Sequence, residues 1–163
     1  MNIESGKLLR LQFLARIVTK EIHCLRLTDQ RLFPTLFTRE KIERLEADIE
    51  LSERVDAFVS RFGRLQDTVG DKLLPQYLNA VGETIGPAID NLNRAEKLGL
   101  LTSAELWVTL RDLRNEMIHE YMEDLDRLSN ALNKGHEHVS TLTEDAERIL
   151  ADLESRGWIM QPE

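Results

Sequence analysis

The chain has one cysteine, Cys24, among 163 residues. No internal disulfide can therefore brace it, and a reducing, cytoplasmic setting is expected, with Cys24 as a buried core thiol. Only four prolines and eight glycines are present, too few for a loop-rich or low-complexity architecture. Aromatic residues make up 6 % of the chain, which leaves no obvious platform for stacking bases. No apolar run approaches the ~18 residues that would cross a bilayer. The segment Met1-Asn2-Ile3-Glu4-Ser5 lacks the basic region, apolar stretch and cleavage site of a signal peptide, so neither membrane insertion nor export is expected. There is no glycine-rich phosphate loop, no Gly-x-Ser-x-Gly elbow and no paired-cysteine zinc pattern. His23 beside Cys24, and His136 and His138 around Glu137, do not make up a ligand set, so no metal and no cofactor are expected. Positive charge is also scarce: 21 Lys and Arg stand against 29 Asp and Glu, a net charge of -8. Broad, non-specific nucleic-acid binding is disfavoured by that balance. A local arginine cluster is not, because charges beyond ~8 Å are largely screened at physiological salt.

What the chain does have is helical periodicity. Apolar residues recur at spacings of three and four along Ile42, Leu45, Ile49, Val55, Phe58, Phe62, Leu65 and Val69. They do so again along Leu125, Leu128, Leu132, Val139, Leu142, Ala146, Ile149 and Leu153, with an interruption expected at Gly135. Each tract predicts a helix of roughly 30 residues packed at a shallow angle, and the whole predicts an all-α, antiparallel helical bundle without strands. An amino-terminal helix is expected from about Glu4 to Leu27, followed by a loop through Pro34. Thr38 is the expected cap of the first long helix, which should end or bend near Gly70 before a further turn or two through Leu73, Leu74, Tyr77 and Leu78. Pro87 suits the first turn of a helix that stops at Gly99, and Thr102-Ser103-Ala104-Glu105 reads as a capping box opening the next. No repeat or linker divides the chain, so residues 1–163 are expected to form one domain.

The last of those helices carries the stretch of greatest chemical interest, Arg114-Asn115-Glu116-Met117-Ile118-His119-Glu120-Tyr121. Arginine, histidine and tyrosine at this spacing suit phosphodiester chemistry. A guanidinium holds and neutralises phosphate, an imidazole near pKa ~6.5 exchanges protons at neutral pH, and a phenol supplies a hydroxyl. On an ideal helix Leu106, Leu110, Leu113 and Met117 form the core stripe, while Arg111, Asn115 and His119 line a polar flank. Arg114 and His119 are about 140° apart around the axis, a gap that a second copy packed across a two-fold axis would close. A homodimer is therefore the mechanistic expectation. The plainer alternative pairs Arg114 with Glu116 or Asp112 and leaves His119 and Tyr121 as ordinary bundle residues. Arg54, Arg61 and Arg64 flank the first seam and would extend a phosphate-binding surface if that flank faces the motif; otherwise they are a solvated face, with Asp67 paired locally to Arg64.

Arg114, His119 and Tyr121 match the Arg-x4-His-x-Tyr signature of the HepT-like toxins, and the chain resembles that branch of the HEPN superfamily over about residues 5–155. The resemblance implies a metal-independent endoribonuclease acting as a dimer. It further implies a minimal nucleotidyltransferase as antitoxin partner, which silences the toxin by transferring AMP to the motif tyrosine, here Tyr121. On that reading Arg114 and His119 are catalytic, while Asn115, Tyr121 and Arg111 support substrate binding. A second member of the same superfamily pattern is a non-catalytic helical substrate-binding subunit of a nucleotidyltransferase.

Overall fold

The computed structural model describes residues 3–119 and 123–160, His119 in its backbone alone. Among the described residues seven α-helices follow one another: α1 (Ser5–Leu32), α2 (Arg39–Glu43), α3 (Ile49–Asp67), α4 (Leu74–Ala80), α5 (Ala88–Lys97), α6 (Ala104–His119) and α7 (Leu125–Ser155). Among the described residues there is no strand, and the all-α bundle read from the seams is the fold. The first helix α1 packs on α3 and on α7, while α6 lies against α3, α5 and α7. Phe58, Phe62 and Leu65 of α3 meet Leu14, Val18 and Leu25 of α1, Leu110 of α6 and Leu132 and Leu142 of α7 in one core, all at 1 % exposure or less. No described helix is long and apolar enough to cross a membrane.

Several boundaries differ from those the periodicity predicts, each for a local reason. Helix α1 runs on to Leu32, because Thr28 and Leu32 extend its buried side. Thr38 does cap a helix, its hydroxyl accepting from the Lys41 amide at 3.2 Å. That helix is short, however. A 3₁₀ turn at Arg44–Glu46 closes it, and Asp48, extended at φ -102°, accepts from the Leu51 amide at 3.0 Å and starts α3 afresh. The apolar seam crosses this break unchanged, since Ile42 and Leu45 remain buried, and so periodicity alone could not reveal it.

Beyond α3 the helix does not end at Gly70. It passes through a π turn, Thr68–Leu73, directly into α4. Pro75 accounts for the widening: it has no N–H to give Asp71 one turn back, and its ring crowds that carbonyl, a conflict that one π turn relieves. Gly135 likewise marks no interruption, because α7 is continuous from Leu125 to Ser155. A Cβ there would stand 3.2 Å from Cε1 of buried Phe58, so this glycine is a point of close helix approach. Gly99, at φ +77°, ends α5 as expected. The cap of α6 is one residue later than predicted: the Ser103 hydroxyl accepts from Leu106 N at 3.1 Å. Thr102 is thereby freed to donate its amide and hydroxyl to Asp145, a fully buried carboxylate on α7.

Candidate functional site

Helices α3 and α6 run antiparallel, and three contacts fix their register. Gln66 Nε2 donates to the Trp107 carbonyl at 3.2 Å. Arg111 Nη2 pairs with Asp71 Oδ1 at 2.9 Å, and Arg114 Nη1 with Asp67 Oδ1 at 2.6 Å. Two glycines of α3 and its π turn sit under this crossing, seven residues apart. A Cβ on Gly70 would meet Trp107 and Arg111 at about 4 Å, and one on Gly63 would lie only 2.7 Å from Arg114 Nε and 3.0 Å from its Cδ. Glycine in a helix interior costs about 0.5–1 kcal/mol relative to alanine. At Gly63 that cost makes room for the stem of Arg114 to lie flat across α3.

The guanidinium so seated lines an open groove of about 720 Å³. Its floor and walls are Asp56, Val59, Ser60, Gly63, Arg64 and Asp67 from α3, Arg114, Met117 and Ile118 from α6, and Glu123 beyond it. Arg114 and Asp67 are 27 % and 37 % exposed in their side chains, so the pair is half-screened by protein and open to solvent on one side. Among the described residues Asp67 is the only hydrogen-bond partner of the Arg114 guanidinium. A guanidinium has five N–H donors, so most of that capacity still faces the groove. Arg64, on the rim, gives Nη2 to Ser60 Oγ at 3.1 Å.

Behind Arg64, Glu21 of α1 accepts from the Thr68 hydroxyl at 3.0 Å. Burial raises the Glu21 carboxyl above its ordinary 4.5, against the opposing pull of Thr68, Arg64 and Lys72.

The motif residues are placed as follows. Arg114 occupies the groove. Arg111 lies one turn back along α6, held by Asp71 and outside the groove lining. Asn115 is exposed on α6 and also outside that lining. His119 is the last described residue of α6, and its side chain and all of Tyr121 lie outside the described residues. Asp67 bonds to Arg114 and not to Arg64, while Glu116 pairs with Arg127 at 3.6 Å, so neither local pairing expected from the sequence forms. Arg54 pairs with Glu50 at 3.8 Å. Arg61 turns towards α1, donating to the Thr28 hydroxyl and, at 3.4 Å, to the Cys24 carbonyl. Cys24 itself is half-buried, not a core thiol. His136 pairs with Asp29 at 2.7 Å and stacks on Phe33 at 4.3 Å between ring centroids, a structural role at the seam of α1 and α7.

Sequence reasoning missed Gly63 and the partnership of Asp67. The signal for the first was a glycine inside a strongly helical seam, where its intrinsic cost calls for a close neighbour. The second had no local signal, since Asp67 is 47 residues from Arg114. Comparison of the chain with family models, with curated proteins and with solved structures gives no match.

Proposed function

We propose that the groove between α3 and α6 is the phosphate site of a metal-independent endoribonuclease. The observation that carries this reading is the seat of Arg114: a guanidinium laid over Gly63 into an open groove, with Arg64 beside it and the carboxy end of α6, where His119 stands, next in line. RNA brings its own nucleophile. The ribose 2′-oxygen bonds to phosphorus, the bond from phosphorus to the 5′-oxygen breaks, and the products are a 2′,3′-cyclic phosphate and a 5′-hydroxyl. His119 serves as the proton-transfer group, an effect typically worth ~10²–10⁴-fold. Arg114 stabilises the charge that gathers on the phosphate oxygens in the transition state. Tyrosine hydroxyls, ordinarily with a pKa of ~10, are poor bases at neutral pH, so Tyr121 is assigned to substrate contact and modification. AMP attached there by a minimal nucleotidyltransferase partner would add bulk and a negative phosphodiester where RNA must bind. A homodimer in a reducing cytoplasm, bringing two copies of the motif to one cleft, bridges the angular gap between Arg114 and His119.

A second reading draws on the groove's own charges. Asp56, Asp67 and Glu123 share it with Arg64 and Arg114, an acidic balance that suits a protein partner better than a polyanion. On that reading the chain is the non-catalytic helical subunit of a nucleotidyltransferase.

The two separate in a single experiment. Purified protein without added metal is incubated with total RNA and defined oligonucleotides, beside Arg114→Ala and His119→Ala. Cleavage by the wild type with cyclic phosphate ends, reduced at least a hundredfold in both variants, is the expected outcome. Whole RNA in all three reactions, together with nucleotidyltransferase binding that ignores His119, would establish the second reading instead.

A further inference from the structure

The scarce positive charge of this chain is unevenly placed. Helix α1 holds six of the 21 lysines and arginines but only two of the 29 carboxylates. Its core side is set by Leu11, Leu14, Val18, Ile22 and Leu25. The opposite side of the helix carries Arg16, Lys20, His23 and Arg31, all exposed, and no acid interrupts them. Glu21 is directed to Thr68, and Asp29 to His136.

This side continues onto α3. Arg61 docks on α1 at the Cys24 carbonyl and the Thr28 hydroxyl. By helix geometry Lys20 lies one turn before Cys24, and Arg31 about one turn after Thr28, on nearly the same line. Arg64, three residues after Arg61, reaches the rim of the Arg114 groove. Lys20, Arg31, Arg61, Arg64 and Arg114 therefore form a cationic path from the open face of α1 across α3 to the groove.

We infer that this path binds the phosphate backbone of single-stranded RNA and leads it to Arg114, the ligand class resting on the ribonuclease reading above. Charge complementarity selects a polyanion. Backbone binding of this kind needs spaced cations along a track and no base-specific contact. It also explains how a chain of net charge -8 can take RNA: no carboxylate interrupts the cations on the open face of α1, Asp56, Asp67 and Glu123 enter only at the groove, and screening removes most of the effect of the rest. An anionic membrane is the competing polyanion. Leu9, Phe13 and Leu27 are exposed on the same side of α1, but Phe13 and Leu27 are about 21 Å apart along the axis, with Arg16, Lys20 and His23 between. They offer no contiguous apolar wedge to a bilayer, and a bilayer would have no use for the step over α3 into a groove.

The test uses the full chain and a fluorescent 2′-O-methyl 20-mer, which lacks the nucleophile and so reports binding without cleavage. Its affinity is followed by anisotropy across a salt series for the wild type, for Lys20→Gln/Arg31→Gln, and for Lys97→Gln on distant α5 as the control. The double variant should bind about tenfold more weakly, with its log–log salt slope shallower by about 1.4, the loss of two phosphate contacts on a single strand. The control should match the wild type. Equal affinity and slope for double variant and wild type would overturn the inference, as would wild-type binding to phosphatidylserine vesicles with none to the oligonucleotide. Cleavage is scored separately. RNA bound along this path but never cut would sink the ribonuclease reading and leave the path standing; cutting that ignores Lys20→Gln/Arg31→Gln in both affinity and KM would do the reverse.

Discussion

Glu21 is a carboxylate that the fold holds at a loss. One oxygen has the Thr68 hydroxyl, the other is buried and without a partner among the described residues, and burial raises its pKa above 4.5. An acid whose folded pKa is raised contributes stability that is full below the unfolded value and is lost as pH climbs through the folded one. Glu21→Gln, which keeps an acceptor for Thr68, should therefore gain stability relative to the wild type as pH rises from 4.5 to 7.5. Thermal midpoints at those two pH values measure it, and an unchanged difference between the proteins would refute it. The same residue scale shows what a sequence conceals. Arg114 stands out through its spacing to His119 and Tyr121, but Asp67, its partner, comes from a different helix and bears no mark of that role.

At the scale of elements, the seams through Phe58, Phe62 and Leu65 and through Leu132, Val139 and Leu142 were legible because burial repeats with the helical period. The break at Asp48 was not, because Ile42 and Leu45 continue the seam across it. Gly70 was expected to end or bend its helix, and Gly135 to interrupt its own. A π turn at Gly70 accommodates Pro75 without ending the helix, and Gly135 marks close packing against Phe58 with no interruption.

The elements around the groove are locked by Asp145 on α7. It accepts from the Thr102 amide and hydroxyl, from Trp107 Nε1 at 2.9 Å and from Arg148 at 2.7 Å. This pins the start of α6 to α7. Asp145→Ala would strand the buried indole N–H and the Thr102 amide, and should cost about 3 kcal/mol or more. Urea unfolding gives the value directly. A cost under about 1 kcal/mol would show that the lock is not one.

At the scale of the whole molecule, two features of the bundle carry the proposed RNA chemistry: a cationic path over α1 and α3, and a groove into which α6 lowers an arginine. The bundle was readable from its apolar periodicity. The groove was not, because it depends on which turn of α3 lies under which turn of α6, and that register is set by Gly63, Gly70 and the ion pairs at Asp67 and Asp71. Fold and proposed chemistry meet at one point, where Arg114 passes over Gly63. A methyl group there would press on a flexible side chain, not on backbone. The helix would tolerate it, even gain about 0.5–1 kcal/mol of propensity, while the guanidinium would be pushed from its seat. The measurement to make is single-turnover cleavage of a defined RNA by Gly63→Ala beside the wild type, with thermal midpoints for both. Cleavage down at least tenfold with the midpoint held or raised is the result this account predicts. Equal cleavage by the two proteins, or a folded wild type that leaves the RNA whole, would contradict it.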